Sequence, residues 1–496
     1  MRAKSTPRVE LGVLGVLCLI CASATGQTGV GVAPPPLPPA GVGQRLFFSD
    51  QTNDAVYVCQ DLDGDGNANG PGELAIYYDA SSPEPDLQTP RFVAVAADGV
   101  LYVGDSNADF ILRLEDLDGD GDANDPGEAS IYYDTLSGGP LLVSINNMVL
   151  DAQGSLFFSD NGTAAGTERH VTRIQDVNGD GYCSFADGEV LAIYQFATTT
   201  GVLIERPSAL AFDVDGTLLV SDYETDNVLR LVDTNGDGDA NDAGEQLPYF
   251  TSGTLLLNFS ESMAFGVAAG GARPLYVNGG PVLDAIFAFR DSDADGVIAN
   301  PLETRVFWDL TQVDGVIPGV ALRVAAHPSG ALFVAEGGQT AAGVGDAIVV
   351  LEDLDTNGDA NGVGEARNYV DNANAAGIVL GQPMSLAFEP SPPLPGFPHF
   401  VRGDCNDDAQ ANIADAVFLL GFLFPGPGGA PVIGCDDACD TNDDETLNIA
   451  DAVALLGSLF GLPTVPLPPP TSCGEDPDAA LGGALGCGAH LSCPQP

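Results

Sequence analysis

The chain has 496 residues, with lysine plus arginine totalling 16 against 70 aspartate plus glutamate, a formal net charge of -54. Such a surface repels nucleic acid and anionic membranes and excludes both as partners. A hydrophobic content of 45% argues against an acidic disordered polymer.

Residues 1–24 read as a secretory signal peptide. Arg2, Lys4 and Arg8 supply the positive start, Leu11 to Ile20 the apolar core, and Ala22-Ser23-Ala24 the small-residue cleavage site. The apolar run is too short for a membrane span. The expected setting is therefore secreted, extracellular or cell-surface, with calcium at hand. Lys4 is the only lysine, so the exported chain would hold no lysine nucleophile. Residues 25–43 are a Pro/Gly-rich linker.

From 44 to 390 the chain repeats one unit. An acidic loop begins at Asp61, Asp116, Asp176, Asp233, Asp291 and Asp353, at intervals of 55 to 62 residues. In the second unit the strands are Phe92–Val95, Val100–Val103, Phe110–Leu114 and Ile131–Tyr133, with Asp98-Gly99 turning the first hairpin. Four short strands per unit and a long regular period predict a mainly β fold, a six-bladed propeller. The first unit lacks its first strand. Ser385-Leu386-Ala387-Phe388, after the sixth loop, is expected to supply it and close the ring as a monomer.

Each loop places oxygen side chains at alternate positions, with glycine where the backbone turns, the pattern of a loop that wraps a hard cation. The ligands expected in the first are Asp61, Asp63, Asp65, Asn67 and Asn69. In the second they are Asp116, Asp118, Asp120, Asp122 and Asn124, and in the third Asp176, Asn178, Asp180 and Asp187. The fourth offers Asp233, Asn235, Asp237, Asp239 and Asn241, and the sixth Asp353, Asp355, Asn357, Asp359 and Asn361. The fifth departs, because Val297 replaces a polar group. Glu73, Glu128, Glu245, Glu303 and Glu365 fall one place beyond the last ligand position of an EF-hand, whereas the third loop has Asp187 at the EF-hand position itself. Irregular oxygen sets suit calcium, several ions of it, better than magnesium. The competing reading is a set of solvated Asx-Gly turns.

The strands Leu101-Tyr102-Val103-Gly104-Asp105 and Leu218-Leu219-Val220-Ser221-Asp222 resemble those of six-bladed propellers of the NHL and lactonase type. A lactonase-like enzyme would hold one metal at the channel mouth with a Glu/Asn/Asp set. Glu261, Asn147 and Asp222 could form it. A quinone-dependent sugar dehydrogenase would want a channel base, and His327 is the candidate. The plainer reading is that the recurrent aspartate ending each second strand caps a turn.

Residues 391–401 form a Pro-rich linker. In 402–462, Asn412–Phe424 and Asn448–Phe460 are near-copies, each an acidic loop followed by an apolar helix. Asp404, Asn406, Asp408, Asn412 and Asp415 occupy EF-hand positions 1, 3, 5, 9 and 12, as do Asp440, Asn442, Asp444, Asn448 and Asp451. This pair resembles a type I dockerin. The resemblance implies docking to a cohesin-like protein or cell-surface component, in a setting of extracellular polysaccharide degradation. Ala409 and Glu445 stand where the turn glycine belongs, and Ile413-Ala414 and Ile449-Ala450 where recognition residues belong. The helices are expected to bury Val417, Leu420, Leu423, Val453, Leu456 and Leu459. Residues 463–496 form a Pro/Cys-rich tail. Cys405, Cys435, Cys439, Cys473, Cys487 and Cys493 suggest three disulfides, with Cys59 and Cys183 unpaired. The function this implies is binding or assembly. An enzyme and a purely structural surface protein are the alternatives.

Overall fold

Six four-stranded antiparallel sheets make a mainly β, six-bladed propeller in the computed structural model. The structure describes residues 44–162, 168–213, 215–252, 260–267, 272–279, 285–293, 295–299, 302–309, 320–337, 346–389, 400–407, 410–424, 433–442 and 446–460. The expected signal peptide, the linker at 25–43, Asp408, Asp444, Cys473, Cys487, Cys493 and the tail lie outside the described residues, as does most of the second linker.

Blade 2 shows why each repeat folds alike. Pro90–Val95, Leu101–Asp105, Phe110–Leu114 and Ala129–Asp134 follow one another as neighbours in the sheet. Gly99 turns the first hairpin with φ of 90°, a conformation that a side chain would disfavour. Second strands such as Leu46–Asp50, Leu101–Asp105, Leu156–Asp160 and Leu218–Asp222 are buried at every position. Both faces of a blade pack on neighbouring blades, so these strands read as continuous apolar runs rather than as alternation. Fourth strands such as Leu74–Tyr78 open to solvent at two successive central residues. Each fully buried Phe or Leu contributes about 1.5–3 kcal/mol. The core is divided among the gaps between blades, for example Phe47, Tyr77, Val93, Leu101 and Leu112 between blades 1 and 2.

The ring closes as the sequence predicts. Pro383–Phe388 pairs with Leu46–Asp50, setting Leu46 against Phe388, Phe47 against Ala387 and Phe48 against Leu386. Gln44 Nε2 donates to the Glu389 carbonyl at 2.7 Å, and Glu389 N–H donates to the Arg45 carbonyl at 2.9 Å. No sheet edge is left at the seam.

A small helical module follows in sequence. Helix α1 (Ile413–Leu423), the short α2 (Asp436–Cys439) and α3 (Ile449–Phe460) surround Cys405, Leu419, Cys439 and Ala452. Cys405 and Cys439 form a disulfide, and Cys435 is also disulfide-bonded. Cys59 and Cys183 are free and buried, as expected. Val417 and Val453 are a correction. Both are largely exposed, at 64% and 63%. The inward stripes are Ala416 with Leu419 and Ala452 with Leu455. Val417 and Val453 lie one residue, or 100°, off those stripes. Among the described residues no helix is long and apolar enough to cross a membrane.

Candidate metal loops and channel

The rim loops connect the third and fourth strand of each blade, far from the axis. The opening aspartate organises each one through two backbone N–H groups. Asp61 Oδ1 accepts from Gly64 at 2.7 Å and Oδ2 from Gly66 at 2.9 Å. Asp116, Asp176 and Asp233 repeat both bonds. The Gly238 and Gly236 amides hold the Asp233 carboxyl below its ordinary value. Gly64 and its counterparts need positive φ. In the sixth loop Thr356 takes that place at φ of 59°, costly for a β-branched residue.

Three carboxylates converge in several loops. Ligand atoms of Asp61, Asp63 and Asp65 lie within 4.8 Å of one another, as do those of Asp116, Asp118 and Glu128, and of Asp353, Asp355 and Glu365. Asp118 and Asp120 also group with Asp125. The fifth loop, set apart in the sequence by Val297, brings Asp291, Asp293 and Asp295 together in the same way. Such clusters repel themselves, most strongly where solvent is excluded. Asp353 Oδ1 is buried without a hydrogen-bond partner.

A buried glutamate staples each loop shut. Glu73 Oε1 accepts from Leu62 and Asp63 N–H at 2.8 and 3.2 Å, and Oε2 accepts from Gly70 N–H at 2.6 Å. Glu128, Glu245, Glu303 and Glu365 do the same work in their own loops. In the third loop the residue is Glu189, not Asp187. Glu189 is 4% exposed and accepts from Val177, Asn178 and Ser184 N–H. Asp187 is exposed and accepts from the Ser184 hydroxyl. The third loop is one residue longer, which hides the equivalence. The recurring Gly-Glu pair (Gly72-Glu73, Gly188-Glu189) was the available signal.

Each loop also latches onto the preceding blade. The eighth loop residue is Ala68, Ala123, Cys183, Ala240, Ile298 or Ala360, buried in every case. Its N–H donates to the carbonyl of Tyr369, Tyr77, Tyr132, Ile193, Tyr249 or Phe307 respectively, on the fourth strand of the blade before, at 2.6–2.8 Å. The ninth residue adds a second bond. Asn69, Asn124, Asn241 and Asn361 accept through Oδ1 from Asp371, Asp79, Gln195 and Asp309 N–H. These four amides are among the expected cation ligands, and in the structure each oxygen also accepts one bond from the neighbouring blade. Asn67 and Asn357 accept from the amides two residues on, at Asn69 and Asp359. Asp63, Asp65, Asp120, Asp122, Asn178, Asp180, Asn235, Asp237, Asp239, Asp355 and Asp359 do likewise within their loops.

In the helical module, Asp404, Asp415, Asp440 and Asp451 are all at most 2% exposed. Asn412 and Asp415 form a capping box on α1: Asn412 Oδ1 accepts from Ala414 N–H, and Asp415 Oδ2 from Asn412 N–H. Asn448 and Asp451 repeat both bonds on α3. Asn406 Oδ1 and Asp451 Oδ1 are buried with no hydrogen-bond partner. Burial, and then the adjacent Asp440, push the Asp451 carboxyl up to about 6. Buried acidic oxygens without donors are what a cation-binding loop presents, so the donor set fits a calcium ion.

The first strands of all six blades line a channel of about 470 Å³. Its wall is part polar and part apolar, with Asn147, Ser262, Arg273, Arg323 and Ser385 as polar members. Asp222 ends a second strand but caps backbone. It accepts from Glu205, Arg206 and Glu224 N–H and from the Thr225 hydroxyl. Asp50, Asp105 and Asp160 cap in the same way. Glu261 pairs with Arg323 at 2.8 Å. Burial alone would raise the Glu261 carboxyl, but Arg323, Arg91 and Arg206 outweigh it and hold the group below its usual range. Asp222 and Glu261 are thus engaged with other partners, and Asn147 lies on the channel wall. His327 is not on the channel wall. It sits edge-on to Phe388, with its ring nitrogens bonded to Ser329 Oγ and Gln44 Oε1.

The fold and site define a six-bladed β-propeller with acidic rim loops. No protein-family model and no curated protein matches the chain. Solved propellers do resemble its fold. The virginiamycin B lyase of Staphylococcus aureus is 14% identical, with a TM-score of 0.37, over 62% of this chain and 78% of that one. A gluconolactonase from Xanthomonas campestris is 19% identical, with a TM-score of 0.37, over 59% and 79%. A putative 6-phosphogluconolactonase from Bacteroides uniformis is 14% identical, with a TM-score of 0.40, over 70% and 99%.

Proposed function

We propose that this protein is a secreted, calcium-stabilised binding and assembly module. Calcium fills the rim loops and the paired loops of the dockerin-like module. The propeller presents a face, and the module tethers it to a cohesin-like or cell-surface partner. The observation that carries the calcium reading is the set of buried acidic oxygens without donors, Asp451 Oδ1 and Asp353 Oδ1 among them, beside clustered carboxylates. The tethering reading is supported by exposed apolar pairs related by the duplication, Ile413 with Val417 and Ile449 with Val453.

Because the loops latch blade to blade, calcium bound there joins neighbouring blades and has a structural role. Each site filled at a hundred times its dissociation constant would stabilise the fold by about 2.7 kcal/mol. The test is calorimetric titration of calcium into chelator-stripped protein, with melting temperature followed in parallel. The expected result is about six to eight ions bound, the number of loops that offer oxygen ligands, with a large rise in melting temperature. One or two ions, bound by the C-terminal residues alone, would reduce the rim loops to turns. No binding would overturn the reading.

A further inference from the structure

A protein with so few basic residues gathers three of them about one carboxylate, beside the channel that Arg323 lines. Arg323 is 2% exposed and bonds Glu261 through Nη1 at 2.8 Å. Its guanidinium lies 5.2 Å from the centre of the Phe92 ring, and that of Arg91 lies 5.8 Å from the same ring. Both cations therefore share one small region, although their strands belong to blades 6 and 2. Arg206 stacks on Tyr223 at 4.5 Å and reaches Glu224 only at 4.0 Å. Arg323, Arg91 and Arg206 all act on the Glu261 carboxylate, and Arg206 shares its charge with Glu224. Arg91 Nε is buried with no hydrogen-bond partner. Burial, then Arg323, hold the Arg91 guanidinium below its usual value.

Like charges held together under desolvation are expensive. An arrangement that persists at this cost is suited to an anion that relieves it, and arginine's planar fork matches carboxylate and phosphate oxygens. Arg323 also forms part of the wall of the channel, where Val93, Leu210, Ala264, Ala325 and Leu386 offer apolar surface. The volume, about 470 Å³, is that of a small-molecule site.

We propose that the channel binds a small amphiphilic oxyanion, a carboxylate or a phosphate monoester, with its anionic head at Arg323, supported by the nearby charge of Arg91, and its tail along the apolar part of the channel. The proposal is independent of the calcium loops.

The test is calorimetric titration of hexanoate, butanoate, hexyl phosphate and hexanol into the full chain, once with calcium and once with chelator. Hexanoate or hexyl phosphate should bind while hexanol does not. The tighter of the two anions names the head group. Each methylene should tighten binding roughly fourfold. Arg91→Gln should weaken binding about tenfold to hundredfold. Should that variant fail to fold, Arg206→Gln, at a more exposed position, should still weaken it severalfold. Binding of hexanol as tight as that of hexanoate, no dependence on chain length, no effect of either arginine variant, or no binding of either anion would overturn the proposal.

Discussion

Glu189→Ala and Asp187→Asn separate two readings of the third rim loop. Glu189 is buried and receives three backbone N–H groups at 3.0–3.2 Å. Hydrogen bonds to a charged acceptor contribute about 1.5–3 kcal/mol each. The bonds here are not short and water can enter a loop, so the low end of that range applies. The loss should be about 3–5 kcal/mol. At roughly 2 °C per kcal/mol for a large domain, melting should fall by about 6–10 °C. Asp187 is exposed and makes one bond to a neighbouring hydroxyl, so Asp187→Asn should change stability by no more than about 0.5 kcal/mol. Thermal melting in chelator isolates the backbone contribution, and repeating it in calcium exposes any added metal effect. Equal shifts for the two variants, or no shift for Glu189→Ala, would refute the staple.

Two other changes follow from the geometry. Thr356 holds φ of 59° where the first four loops use glycine, so Thr356→Gly should raise stability by about 0.5–1 kcal/mol, read as a higher denaturant midpoint. Burial holds the His327 imidazole down to about 4, against an unfolded value of about 6.5. Its contribution is therefore complete above pH 6.5 and is lost as pH falls toward 4. The stability difference between the native protein and His327→Gln, measured across that window, should shrink toward acid; a pH-independent difference would refute the assignment.

Much of this fold can be read in the sequence because its signals are local. Apolar runs of five, Asp-Gly turns and a regular acidic loop identify a blade, and the unmatched Ser385–Phe388 identifies the closing strand. The capping aspartates were also legible, since one residue type recurring at four of the six second-strand ends suits a repeated turn. What was not legible depended on contacts between units. That Asn69 and Asn124 accept bonds from the preceding blade shows only once that blade is in place. Glu189 was hidden by a single inserted residue. Val417 is as apolar as Leu419, and only the angle at which α1 meets α3 decides which one is buried. The gathering of Arg91 and Arg323 joins positions more than two hundred residues apart and has no local trace.

The latch between a rim loop and the preceding blade is the same at every junction, including the one where the chain ends meet. Ala68 N–H reaches Tyr369 across the seam as Ala123 N–H reaches Tyr77 within the chain. The ring therefore has no privileged starting point, and covalent continuity between any two adjacent blades is replaceable. With Gln44 and Glu389 already in contact, a short bridge could join them while the backbone is opened at another inter-blade connection. Such a rearranged chain would keep all six latches, so the order in which blades are synthesised is separable from the order in which they hold one another.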